Sequence, residues 1–279
     1  MKALIDADIL CYEIGFVTEQ VTFSYKGKHY GTITEAKAHV VGLQTDDLER
    51  HVHPDPAHLA KKMIDTRIAG ILKAVGATSY KCFLTGKGNF RNETATILKY
   101  KGTRHSPKPY HYQTIWDYLV AKYDATVIEG YEADDAISIA QYQGDGDTVI
   151  CSRDKDLRMV RGYHYSWKCG DRQPEKPLYT ISEFEGSYNW AYQMLVGDTV
   201  DNIWGVPGIG PKKAKGILEA CATYAELKAA VMATYLKVFG DEPINYQSWD
   251  GKWLTTTYKG IAKENHHLLW MMRDVKEIP

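Results

Sequence analysis

Long apolar runs, paired cysteines and internal repeats are all missing from this 279-residue sequence. No uninterrupted apolar stretch approaches the roughly 20 residues a membrane-spanning helix needs, which argues against such a helix. The amino-terminal MKALIDADIL breaks its short apolar run with Asp6 and Asp8 and does not read as a secretory leader. The five cysteines (Cys11, Cys82, Cys151, Cys169 and Cys221) are odd in number and scattered without any CxxC pair, so neither a disulfide framework nor a zinc site is suggested. TGKGN at 85–89 lacks the full GxxxxGK[ST] pattern, so P-loop nucleotide hydrolysis is excluded as well. The expectation is a soluble, cytoplasmic protein with reduced thiols.

What is present is enough apolar residue, 44% of the chain, to fill one large core or a core plus a small lobe. The formal net charge of −1 conceals an asymmetry. Lys81, Lys87, Arg91, Lys99, Lys101, Arg104 and Lys108 follow one another with Glu93 as the only intervening acid, a stretch that attracts polyanions. Apolar runs at 3–5, 82–84 and 148–152, with a fourth at 126–128, read as buried strands alternating with helical patterns. The fold class expected is α/β, a mostly parallel central sheet flanked by helices, with functional groups at the carboxyl ends of the strands. Residues 21–34 alternate around a Lys-Gly turn and read as a peripheral hairpin. His51, His53 and His58 read as a loop or helix lead-in, since no second ligand cluster of matching spacing accompanies them. The composition turns wholly helical after about residue 187, which places a soft boundary between a 1–187 core and a 188–279 lobe.

Carboxylates recur at four places. YEADDAI (131–137) puts Glu132, Asp134 and Asp135 in the first turn of a helix, where the dipole relieves their repulsion by only about 0.3–1 kcal/mol each. Solvated helix-start acids are the plain alternative. SRDKD (152–156) places Asp154 and Asp156 just after a strand, as ligands or as a capped turn. GDTVDN (197–202) spaces Asp198 and Asp201 for one ion if the segment is helical. Asp6 ends the first strand. Asp8 is read as a helix cap rather than a ligand, and Asp46 and Asp47 as surface acids. A sulfur-free, oxygen-rich set suits Mg²⁺ or Mn²⁺, and two such ions can activate water, orient a phosphate and stabilise a leaving oxygen.

VPGIGPKKAKGIL (206–218) adds a helix–hairpin–helix pattern. Gly208 and Gly210 permit a tight turn, and Pro211 suits the first helical position. Exposed amides with Lys212, Lys213 and Lys215 can then grip a phosphate backbone without reading bases. Within YKGTR (100–104), Tyr100 is available to stack on a base, while Lys101 and Arg104 offer charge to a scissile phosphate, unless the stretch is simply a solvated basic face.

The order of these motifs, from Asp6 through NFR (89–91), YKGTR, EADD, SRDKD and GDTVDN to the glycine hairpin, resembles the 5′-nuclease superfamily over residues 1 to about 230. That family comprises phage 5′ exonucleases, flap endonucleases and the amino-terminal nuclease of bacterial DNA polymerase I. The resemblance implies a PIN-like nuclease core with a helical arch at about 93–118 and a helix–hairpin–helix lobe. It implies one ion held by Asp6, Glu132 and Asp134, and a second surrounded by Asp135, Asp154, Asp156, Asp198 and Asp201. It further implies Lys101 and Arg104 as catalytic groups at the base of the arch, Arg91 among the nucleic-acid contacts, and a K⁺ option at the hairpin. The implied partner is DNA with a 5′ single strand, flap or end, with RNA–DNA hybrid as an extension, cut by a monomer during replication or repair. A phage-encoded member would act in the host cytoplasm. One departure stands out: where members commonly carry an aspartate after the second strand, LTGKG (84–88) has no acid.

A non-catalytic DNA-binding protein on the same fold is the rival from another class. Seven or more acids beside phosphates weigh against it, because each repels the ligand unless a cation intervenes. RNA-primer removal is a second rival. The apolar tail after about residue 240, with Trp249, Trp253 and Trp270, is expected to pack back on the core.

Overall fold

The computed structural model describes residues 1–279. The chain begins with β1 (Lys2–Asp6) and α1 (Ala7–Val17), then forms a small antiparallel sheet from β2 (Glu19–Tyr25), β3 (Lys28–Tyr30) and, after α2 (Ile33–His39), β4 (Glu49–Pro54). The Lys-Gly hairpin turn is as expected, with both Lys26 and Gly27 at positive φ. His51 and His53, read as loop or lead-in, instead lie on β4. Their alternation with Val52 matches the two-residue period of the strand, and they pair with Thr22 and Gln20. His58 falls in the first turn of α3 (Ala57–Val75).

β5 (Ser79–Thr85), α4 (Phe90–Thr94), α5 (Tyr112–Tyr123), β6 (Thr126–Ile128), α6 (Ala133–Gln143), β7 (Thr148–Cys151), β8 (Gly162–Ser166) and β9 (Lys176–Ile181) complete the central part. The main sheet runs β6-β5-β1-β7-β8-β9, parallel except for β9. Strand alternation divides the core. Ala3, Ile5, Cys82, Leu84, Val149 and Cys151 face the layer built with α1, α3 and α5, whereas Leu4, Phe83 and Ile150 face α6 and the carboxyl-terminal helices. β1 is the central strand and the chain leaves it first toward β5 and later returns on its other side at β7. The crevice beyond the carboxyl ends of these strands therefore lies where α/β sheets place their ligands.

Four further helices follow: α7 (Glu183–Val196), α8 (Pro211–Leu218), α9 (Tyr224–Phe239) and α10 (Tyr258–Leu269). Residue 187 falls inside α7, and one apolar cluster continues from Leu4, Phe83 and Ile137 through Trp190 and Tyr235 to Tyr258 and Leu268. The carboxyl-terminal part is not wholly helical. β10 (Gly197–Asp198) pairs with β11 (Ile203–Trp204), and β12 (Ile244–Gln247) with β13 (Trp253–Thr256). A Cβ on Gly197 would stand 2.3 Å from the Gly205 nitrogen, so this ribbon closes only with glycine there. The tail does return to the core through Leu268, Leu269 and Met271, although Trp253 remains 74% exposed. No helix is long and apolar enough to cross a membrane.

Residues 95–111, expected to lie within a helical arch, form no helix; α4 stops at Thr94 and α5 starts at Tyr112. Lys101 takes positive φ and Pro107 and Pro109 remove two amide donors, each of which opposes helix propagation.

Candidate active site

A cleft of about 550 Å³ opens at the carboxyl ends of β1, β5 and β7. Asp6, Glu132, Asp134, Asp154, Asp156, Asp198 and Asp201 line it together with Tyr100, Lys101 and Arg104, and so does Asp8. Five chain segments thus meet in one place.

Asp6 caps α1 by accepting from the Ile9 amide at 3.3 Å, and it also accepts from the Ser152 hydroxyl at 2.7 Å. Burial, then the neighbouring Asp8 and Asp154, push its carboxyl up to about 7. Asp8 is therefore not the cap it was read as. It reaches across to β5, where both its oxygens lie within 3.1–3.3 Å of the Thr85 amide. The signal available in the sequence was Asp-x-Asp at a strand–helix junction.

Glu132 sits at the N-cap of α6, and Lys101 pairs with it. Burial disfavours its charge, but Lys101 and Arg91 outweigh that and hold the carboxyl below its usual value. Reciprocally, burial lowers the Lys101 ammonium less than Glu132 and Asp201 raise it, so the lysine stays firmly charged. Asp134 is pushed well above the ordinary range by burial and then by Asp6, Asp154 and Glu132, and Lys101 offsets this only in part.

Asp154, in the turn after β7, accepts from the Asp156 amide at 2.8 Å and is raised to about 6, chiefly by burial and then by Asp156. Asp156 also takes a hydrogen bond from the Gln193 side chain and an ion pair with Lys155 at 3.1 Å. Lys155 pairs with Asp198 too. The GDTVDN segment is a tight ribbon rather than a helix. Asp198 accepts from the Val200 amide at 2.8 Å, which turns Asp201 toward Arg104 at 2.5 Å.

Three residues read as functional have other roles here: Arg91 and Asp135 lie outside the cleft, and Tyr100 lines it without offering its ring. Arg91 is fully buried; its guanidinium grips Asp135 at 2.5 and 2.9 Å and donates to the Leu268 and Trp270 carbonyls at 3.0 and 2.8 Å. That geometry takes Arg91 out of reach of nucleic acid and turns Asp135 away from the cleft, into a structural pair. Tyr100 is 5% exposed, with its hydroxyl 2.9 Å from Glu132 and 3.0 Å from Asp201. It tethers two acids, and its ring is closed to base stacking.

Gly208 and Gly210 form the turn before α8, with Gly208 at φ +75°, Gly210 as N-cap and Pro211 at the first helical position. Lys212, Lys213 and Lys215 are exposed on α8, and Lys213 donates to the Gly208 carbonyl at 2.9 Å. The ribbon β10–β11 stands between α7 and this turn, so the two helices are not joined by the glycines alone.

No three acids, histidines or cysteines converge closely enough, as arranged, to enclose an ion. Lys101, Arg104 and Lys155 instead neutralise part of the cluster from within. The donor set nonetheless fits a hard cation. It is purely carboxylate oxygen, and Asp6, Asp134 and Asp154 are left without an ion pair and driven toward protonation by burial and then by one another's charge.

No family model matches the chain. It is 37% identical over 111 residues to DNA polymerase I of Caldicellulosiruptor bescii, covering 36% of this chain and 13% of that protein. To the 5′-3′ exonuclease of Mycoplasma pneumoniae it is 33% identical over 106 residues, 34% of this chain and 36% of the relative. The flap endonuclease Xni of Vibrio vulnificus is 29% identical over 204 residues, 64% of this chain and 76% of that one. The matched parts make up less than a fifth of the polymerases' length. Among solved structures, the T5 D15 protein co-crystallised with metal ions aligns over 85% of this chain and 88% of its own, at 17% identity and a TM-score of 0.49. Over these stretches the chain is similar to a 5′-3′ exonuclease and to a flap endonuclease.

Proposed function

We propose that the protein hydrolyses DNA phosphodiesters near a 5′ end, with divalent metal ions held in the acid-lined cleft. The observation that carries this is the convergence of seven separately positioned carboxylates with Lys101 and Arg104 on one open crevice. The relatives named for 5′-3′ exonuclease and flap endonuclease activity support the same reading. Mg²⁺ or Mn²⁺ would be held by Asp6, Glu132 and Asp134 on one side and by Asp154, Asp156, Asp198 and Asp201 on the other. Such ions supply Lewis acidity and lower the pKa of a water to be deprotonated. The chain's own groups do the rest. Lys101 and Arg104 present positive charge to a phosphate entering between them and the acids, where charge develops in the transition state. Tyr100 keeps Glu132 and Asp201 in place, and the exposed lysines of α8 hold backbone phosphates at a distance from the cleft.

The test is incubation with a 5′-labelled flap duplex, a blunt duplex and an RNA–DNA hybrid, in Mg²⁺ and in chelator. Metal-dependent product near the 5′ end is expected, and its length reports exonucleolytic or flap cutting. Intact substrate in Mg²⁺ and Mn²⁺ despite a gel shift would instead establish a non-catalytic binder. In the same assay, Lys101→Ala is expected to lower turnover about 10²-fold while changing DNA affinity little. A loss confined to affinity would remove Lys101 from the chemistry.

Protonation gives an independent handle. Asp6 at about 7 and Asp154 at about 6 lie above the ordinary 3.8. Raised carboxyls mean that the folded state holds protons the unfolded chain releases. Their contribution is complete below about pH 3.8 and is lost as pH rises through 6 and 7. The metal-free protein should therefore melt several degrees lower at about pH 8 than at about pH 5.5, and Mn²⁺ should raise the melting temperature more at the higher pH. A metal effect independent of pH would contradict this.

A further inference from the structure

The wall of the cleft at the end of β5 carries no acid of its own; Leu84, Thr85 and Gly86 stand there. Leu84 is buried in the core. The Thr85 hydroxyl accepts from the Ala133 amide at 2.9 Å, tying β5 to the start of α6. A Cβ on Gly86 would lie 2.6 Å from a Glu129 oxygen and 2.8 Å from a Val127 methyl, so a side chain there would have to displace both.

Asp8 fills this wall from the opposite side. It projects from the first turn of α1 into the cleft and touches the Thr85 amide. Capping α1 is already the work of Asp6. A carboxylate offers about four acceptor sites, and the Thr85 amide and hydroxyl together occupy only part of that capacity. Asp8 has no ion pair, and the acids Asp6 and Glu132 are its neighbours. A carboxylate confined in this way is costly unless a cation shares the site.

We infer that Asp8 is a direct metal ligand, replacing the acid that the end of β5 lacks and completing the ion site of Asp6, Glu132 and Asp134. This rests on the metal-dependent reading above. Three variants of the full chain without DNA, titrated with Mn²⁺ and followed by the free-Mn²⁺ paramagnetic signal, separate the two. Asp8→Asn keeps an acceptor for the Thr85 amide but loses the charge, and is expected to weaken the tightest site at least about tenfold. Its metal-free melting temperature should be equal to or above the native value. Asp8→Ser should lose the same affinity. Asp8→Cys should exchange Mn²⁺ preference for Cd²⁺ and gain a thiolate–cadmium absorption absent from the native protein, as only a directly bound sulfur does.

Native-like Mn²⁺ affinity in Asp8→Asn, or no new absorption in Asp8→Cys, overturns the inference while leaving the cleft's metal chemistry standing. A native protein that takes up no Mn²⁺ overturns both.

Discussion

Asp134→Asn is expected to reduce cleavage at least about 10³-fold while leaving the fold and DNA binding in place, and Asp154→Asn to do the same. Both carboxylates are crowded by acids and lack an ion pair, so each serves no stabilising contact that asparagine would break. Removing one charge relieves repulsion, and the metal-free variants should melt no lower than the native protein. A rate loss of that size is about 4 kcal/mol of transition-state stabilisation, more than any exposed hydrogen bond supplies. Retained turnover in both variants would remove the cleft acids from the chemistry and leave the fold with binding alone. A parallel fall in DNA affinity would instead assign them to substrate positioning through a bound cation.

The sequence made the strand framework legible because short, continuous apolar runs at 3–5, 82–84, 126–128 and 148–151 have few other uses than buried parallel strands. Acids immediately following such runs are at strand ends by construction, which is why Asp6, Glu132 and Asp154 were found in the cleft they define. Pairing hides from the same reading. Nothing local distinguishes Arg91 in a basic stretch, or Asp135 in an acid triplet, from their exposed neighbours; only the meeting of α4 with α6 buries both. Tyr100 was misread for the same reason, since its ring is covered by distant segments. Of the arch expected at about 93–118, residues 112–118 are helical and 95–111 are not; Pro107 and Pro109 were a readable reason for that, whereas the left-handed Lys101 shows only in the structure. Asp8 was read as the cap because cap and ligand look identical at a strand–helix junction until one of the two aspartates, here Asp6, has taken the cap.

Arg91→Ala should be the most destabilising single change outside the apolar core, at about 3–5 kcal/mol, because it leaves Asp135 charged and unpaired in the interior. The guanidinium also satisfies the Leu268 and Trp270 carbonyls, while Asp135 accepts from the Met272 amide at 3.2 Å. One ion pair therefore fastens the carboxyl-terminal segment against α4 and α6. Loss of the pair is expected to lower the melting temperature by about 6–15 °C and to expose residues 268–272 to proteolysis before the rest. Replacing both partners, as Arg91→Met with Asp135→Leu, should recover most of the loss, since no charge is then stranded. DNA affinity measured well below the melting transition should be unchanged in the single variant. A stable Arg91→Ala protein with weakened DNA binding would return Arg91 to the surface role its sequence neighbourhood suggests.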